Sequence, residues 1–160
     1  MDSKEMSFFL DACRRGDAAD VAKMCELFPE LVNETDGKGF TPLIIAIYNN
    51  QLGVATMLLQ QGASPDAQDA SGNTALMGAC FKGYEEAADL LLAHGANVNV
   101  RNSQGAPALT FAATFGQLGI ARKLLERGAD KTPADTRGKT PLDHARMQEN
   151  EAMVALLESA

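Results

Sequence analysis

Apolar residues in this chain come in short clusters, in pairs, with a polar break inside each pair. Leu43, Ala46 and Ile47 fall on one helical face, Asn49-Asn50 interrupt, and Val54, Met57 and Leu58 resume the same spacing. Further along, Ile120, Leu124 and Leu125 repeat it, with Lys82-Gly83 and Phe115-Gly116 as the corresponding breaks. Apolar positions three or four residues apart mark the buried stripe of an amphipathic helix. The pattern predicts helix pairs at 41–48 and 51–60, 74–81 and 84–93, 107–114 and 117–126, and 140–147 and 150–158.

The segments between the pairs repeat as well. Asp36-Gly-Lys-Gly-Phe-Thr41, Asp69-Ala-Ser-Gly-Asn-Thr74, Asn102-Ser-Gln-Gly-Ala-Pro107 and Asp135-Thr-Arg-Gly-Lys-Thr140 begin 33 residues apart each time. Gly62-Ala63, Gly95-Ala96 and Gly128-Ala129 keep that step, and so do Leu58-Leu59, Leu91-Leu92 and Leu124-Leu125. A period of this length signals a stacked array. An Asp or Asn with a Gly three residues later suits a tight turn. Thr41 and Thr140 are placed to cap a helix N-terminus, with Pro42 and Pro141 at its first position, where no amide donor is needed. Gly62, Gly95 and Gly128 are placed to end the second helix of each pair. One turn–helix–turn–helix–loop unit cannot bury its apolar face alone; stacking does that.

Thr41-Pro-Leu-Ile-Ile-Ala46, Thr140-Pro-Leu-Asp-His-Ala145 and the looser Thr74-Ala-Leu-Met-Gly-Ala79 resemble the ankyrin-repeat signature T-P-L-H-x-A. Met6 to Asn33 resembles a degenerate first repeat, with Gly16-Asp17 at the inter-helix turn and Pro29-Glu-Leu-Val-Asn33 as its exit. The resemblance implies an all-α solenoid of five stacked helix-turn-helix units joined by β-hairpin-like loops. Residues 1–160 would form one domain, with units near 1–35 (an N-terminal cap), 36–68, 69–101, 102–134 and 135–160 (a C-terminal cap). Polar and charged residues in the first unit, and a last unit that stops soon after Leu156-Leu157, are what solenoid ends need. A free-standing protein is the expectation. Ile44, Met77 and Thr110 stand where the family often has His, which removes a hydrogen bond. Pro107-Ala108 replaces Thr-Pro in the fourth unit, so a side-chain cap worth ~0.5–2 kcal/mol is absent there and the unit is expected to be softer.

Composition narrows the class of function. The chain has 160 residues, no Trp, and a formal net charge of −7, so its core is aliphatic and its surface acidic. An acidic surface disfavours phosphate backbones and anionic membranes; neither nucleic acid nor a membrane is expected as partner. No stretch reaches the ~20 apolar residues of a membrane span. Cys13, Cys25 and Cys80 are an odd set without paired spacing, each within a helix, and read as small buried hydrophobes. The Met1–Leu10 segment does not read as a signal peptide. A monomer in a reducing cytoplasm, without metal or other cofactor, is expected.

Catalytic constellations are missing from the sequence. His94 sits at a helix end, repeated by Gln61 and Arg127. Asp143-His144 suggests a general-base pair but has no nucleophile in register, and both are expected at the surface. HExxH, GxSxG, CxxC and the phosphate-binding G-x-x-x-x-G-K-[ST] are all absent. Asn33-Glu-Thr35 is formally a glycosylation sequon. The chain is not expected to be an enzyme.

In ankyrin folds the positions free of framework demands, the hairpin tips and the exposed ends of the first helices, line the concave side and hold a partner protein. Carried over by position, these include Phe40, Asn73, Gln104, Arg137 and Lys139 on tips. On helix ends they include Tyr48, Asn49, Phe81, Lys82, Thr114, Phe115 and Met147. Phe40, Tyr48, Phe81 and Phe115 are four of only nine aromatic residues (seven Phe, two Tyr). Large apolar groups on a rigid face make binding hot spots. Tyr48, Phe81 and Phe115 would form a ridge, unless some rings fold inward. Lys38, Lys82, Arg137 and Lys139 add basic character that would favour an acidic partner segment. The run Gly72 to Gly83 resembles short stand-alone bacterial ankyrin proteins, some of which accompany stress enzymes such as catalase. A regulatory inhibitor, resembling the small ankyrin inhibitors of cyclin-dependent kinases, is the alternative, and an enzyme with a cryptic site at His144, Asp143 or Cys80 ranks behind it.

Overall fold

A computed structural model describes residues 2–159; Met1 and Ala160, the ends of the expected domain, lie outside the described residues. Among the described residues there are ten α-helices, one 3-10 turn and no strands. The helices come in five pairs: α1 (Ser3–Arg15) with α2 (Ala18–Leu27), α3 (Pro42–Tyr48) with α4 (Leu52–Gln60), and α5 (Ala75–Lys82) with α6 (Glu85–Ala93). The last two are α7 (Ala108–Thr114) with α8 (Leu118–Glu126), and α9 (Pro141–Met147) with α10 (Glu151–Ser159). The 3-10 turn, Pro29–Asn33, follows α2. In the last four pairs each helix starts one residue later than expected, because the capping residue itself stands outside the helix, and α5 and α10 each run one residue further at the other end.

Local chemistry sets these boundaries. Thr41, Thr74 and Thr140 are extended N-caps whose hydroxyls accept from the amides of Ile44 (3.1 Å), Met77 (3.3 Å) and Asp143 (3.2 Å). Pro107 takes the same extended conformation but has no hydroxyl, so α7 starts without a side-chain cap. The Thr110 amide turns instead to the Pro107 carbonyl (3.1 Å). At the far ends of α4, α6 and α8 the C-caps are Gln61, His94 and Arg127, and the glycine follows each one.

First helices pack on first helices (α1, α3, α5, α7, α9) and second helices pack on second helices (α2 on α4, α4 on α6, α6 on α8, α8 on α10). Ala46, Ala79, Ala112 and Ala145 are wholly buried in the first row, where a small side chain lets two helix axes approach. Between the rows lie Leu43, Leu58, Leu76, Leu91, Leu109, Ile120 and Leu124, each almost entirely buried. Burying one such side chain contributes ~1.5–3 kcal/mol, and the single cluster they form spans all five pairs.

The connecting loops fold back as tight hairpins. The Asp69 amide donates to the Asn73 carbonyl (2.9 Å) and the Gly72 amide to the Asp69 carbonyl (2.9 Å), and the same two bonds recur at Asp36, Asn102 and Asp135. Successive tips are joined by single backbone bonds: Ala70 to Lys38 (3.2 Å), Ser103 to Ser71 (3.0 Å) and Thr136 to Gln104 (2.9 Å). Gly72, at φ +78, makes this approach possible, since a Cβ there would meet the Ser103 nitrogen at 2.8 Å. A second ladder links the loops further down. Side chains of Asn33, Asp66 and Asn99, themselves 33 apart, accept from the amides of Ser64 (2.9 Å), Asn97 (2.8 Å) and Asp130 (2.8 Å). Asn33, formally a sequon residue, thus does a structural job.

Candidate partner-binding groove

Hairpin tips and first helices face one another across an open groove. Toward the N-terminal end it holds a depression of about 530 Å³ between α1 (Met6, Leu10, Arg14) and the first tip (Asp36, Gly37). Toward the C-terminal end a smaller one, about 320 Å³, is lined by Gln104, Thr136, Arg137, Asp135 and His144.

The ends of the first helices supply the apolar part. Phe81 and Phe115 meet edge to face, with ring centroids 4.8 Å apart and planes at 84°, yet each stays 45% exposed. Met147, in the helix slot one repeat after Thr114, is 60% exposed. Tyr48, in the same slot as Phe81, behaves differently. Its ring lies over Gly78 on the next helix and is half-buried. Burial, and after it the charge of Asp69, raises its phenol pKa. Phe40 is also half-buried and packs against the core.

Several polar positions are committed within the protein. Asn49, the exposed cap of α3, donates from Nδ2 to the Ile45 carbonyl (2.8 Å). Asn73 accepts from Asn102 Nδ2 (2.9 Å), Thr114 donates to the Thr110 carbonyl (2.7 Å), and Gln104 Oε1 accepts from the Thr136 hydroxyl (3.0 Å). Lys82, Arg137 and Lys139 are exposed. Phe8, 46% exposed on α1 beside the N-terminal depression, was not singled out by the sequence because its slot falls outside the regular repeat.

The Asp143-His144 pair does not form, and both residues are part-exposed rather than fully open. Asp143 turns back to accept from the Thr140 amide (2.9 Å) and hydroxyl (3.0 Å), doing the job that a His often does in the repeat. His144 Nε2 instead lies 2.7 Å from Asp135 Oδ2, and its side chain is only 17% exposed. Burial pushes the Asp135 pKa up, but bonds from His144 and the Lys139 and Arg137 amides outweigh it, and the net shift is downward. Met77 replaces that family His with sulfur, accepting the Thr74 amide at 3.4 Å, while the buried Thr110 hydroxyl has no hydrogen-bond partner among the described residues.

Paired helices, tip-to-tip hairpins and a 33-residue period are joined by a direct comparison: the family model described as ankyrin repeats (3 copies) matches residues 9–102 and, in a second register, 61–135. The chain belongs to the ankyrin-repeat family. Ankyrin repeats are protein–protein interaction modules, and the family is typically non-enzymatic. No helix among the described residues is long and apolar enough to cross a membrane.

Proposed function

We propose that this ankyrin-repeat chain is a non-enzymatic scaffold that holds a partner protein in the groove between its hairpin tips and first helices, as a cytoplasmic monomer. One observation carries the reading: Phe81 and Phe115 form an aromatic corner that the fold leaves nearly half open, and Met147, at the end of the following first helix, is open as well. Apolar area left in water costs about 25 cal/mol per Å², so a partner that covers it gains directly. The three buried free thiols suit a reducing compartment.

Affinity purification with mass spectrometry on wild type and on a Phe81→Ala/Phe115→Ala/Met147→Ala variant tests the proposal. Truncated hot spots cost ~2 kcal/mol or more each, so the specific partner is lost from the variant while thermal unfolding is unchanged. Equal recovery of that partner by both proteins would remove the groove as its binding site.

A further inference from the structure

We infer that the stack contains a shear joint, between the α3–α4 pair and the α5–α6 pair, along which the two parts of the solenoid slide and reshape the groove. Such a joint acts whatever the groove binds.

Apolar packing does not single it out. α3 packs on α5 and α4 on α6 as their counterparts do elsewhere, and one apolar cluster runs through all five pairs. Burial of this kind is non-directional; it holds helices together without fixing their register. Hydrogen bonds need a set distance and angle, so they fix register, and here they are unequally distributed.

In the loops after the second helices, Asn33 and Asn99 each work twice. They accept the amides of Ser64 and Asp130, and they donate from Nδ2 to the Gly62 (3.3 Å) and Gly128 (3.2 Å) carbonyls of the next loop. Asp66, at the same position in the joint, has no N–H and keeps only the Asn97 amide (2.8 Å). Just ahead of the hairpins, Gln68 donates to the Gly72 (2.8 Å) and Arg101 (3.0 Å) carbonyls. Arg101 does the same for Gly105 and Ala134 (both 2.8 Å), so each ties its own hairpin to the next. Thr35, one step earlier, is too short and makes no such bond among the described residues. At the first inter-helix turn Gln51 Nε2 reaches back to the Arg14 carbonyl (3.0 Å), and in the joint that place belongs to Tyr84.

On the convex side, Lys123 clamps α8 to Glu85 (3.0 Å) and Asp89 (2.8 Å) of α6, and Arg127 reaches the Leu92 carbonyl (3.1 Å). One repeat earlier those positions hold Leu90 and His94, and His94 Nδ1 lies 3.0 Å from the Leu90 carbonyl of its own helix. A crevice of about 380 Å³ opens there between α4 (Leu52, Thr56) and α6 (Glu86, Asp89, Leu90). On the groove side the facing pair is Tyr48 and Gly78, a ring on a helix face that has no Cβ to interlock with it. Among the described residues, the joint is spanned by the Ala70 amide on the Lys38 carbonyl (3.2 Å) and by the Asn97–Asp66 bond. Small sliding of packed helices, without separation, is what such an interface permits. Phe40 and Tyr48 belong to one side and Phe81 and Phe115 to the other, so the slide alters the spacing of the groove's rings.

Double electron–electron resonance between spin labels tests this. Ala19, Glu86 and Ala152 hold equivalent exposed positions on α2, α6 and α10, while the native thiols are buried. Ala19→Cys/Glu86→Cys spans the joint and Glu86→Cys/Ala152→Cys does not, each pair lying two repeats apart. The 19–86 distance distribution should be about twice as wide as the 86–152 distribution, as sliding at one interface requires. Adding Thr35→Gln/Asp66→Asn, which supplies the missing donors, should narrow the first to the width of the second and leave the second unchanged. A 19–86 distribution no wider than the 86–152 one overturns the inference. So does a wide 19–86 distribution that the two added donors fail to narrow.

Discussion

The ring of Tyr48 occupies the space above Gly78: a Cβ on that glycine would come within 2.9 Å of Tyr48 Cε2 and 3.1 Å of Cζ. The equivalent slots on the neighbouring first helices hold Ile45, Phe111 and His144, so Gly78 is a vacancy in the groove floor that the preceding unit fills.

Gly78→Ala should therefore swing the tyrosine outward. Helix propensity favours Ala over Gly by ~0.5–1 kcal/mol, and the obstacle is the end of a side chain that can move. Stability should change by less than ~1 kcal/mol in either direction. The phenol is the better readout. Burial is the first cause of its raised pKa, so exposure should bring the titration down towards ~10. Ultraviolet titration in a Tyr84→Phe background isolates it; an unchanged curve would mean the ring does not depend on Gly78.

The cysteines should be inert in the folded protein. Burial pushes the Cys13 and Cys80 thiols up to about 12 and raises Cys25 as well. Thiolate is the reactive form, so a thiol reagent at neutral pH should modify none of the three in native protein and all three in denaturant. Rapid labelling of one native thiol would identify a local opening at that site.

Architecture was readable from the sequence because one 33-residue step places the turn, the Thr cap and the Leu pair in every regular unit. Each is a local demand of backbone geometry. Side-chain direction was not readable in that way. Tyr48 and Phe81 hold the same slot, and they differ because the next helix offers Gly78 to one, while the other meets Phe115. Asp143 and His144, adjacent in sequence, looked like partners, yet neighbouring helix positions point apart. Asp135, nine residues earlier, reaches His144 only through the hairpin fold. The Asn33, Asp66 and Asn99 ladder was legible in principle, since it keeps the same step.

Cap chemistry predicts unequal responses along the stack. Thr74→Ala removes a hydroxyl that accepts the Met77 amide and should cost about 1 kcal/mol. Pro107→Ala removes no side-chain cap, because none is present there, and should cost less through capping. Denaturant unfolding of both variants, with hydrogen exchange at the first turns of α5 and α7, reports the difference. Equal losses from the two substitutions would show that the threonine caps contribute little.

Acid sensitivity should concentrate from Asp130 onward, where the amide and hydroxyl of Thr132 lower the Asp130 pKa as well, and the protein contains its own control. Bonds from the Thr140 amide and hydroxyl lower the Asp143 pKa, and Asp135 is lowered on balance. A carboxyl whose folded pKa lies below its unfolded value of ~3.9 stabilises the fold above that value. The contribution is lost as pH falls through the folded pKa. Asn102 fills the Asp135 role one unit earlier without a charge, accepting from the Gln104 amide (2.9 Å) and the Ala106 amide (3.0 Å). Asp135→Asn should then keep the tip intact and flatten the decline of the unfolding midpoint below about pH 4. Near neutrality it should lose only what the bond from His144 to the carboxylate contributes. Thermal unfolding followed by circular dichroism from pH 3 to 7 checks both limbs, and a variant as acid-sensitive as wild type would transfer the effect to Asp143 and Asp130.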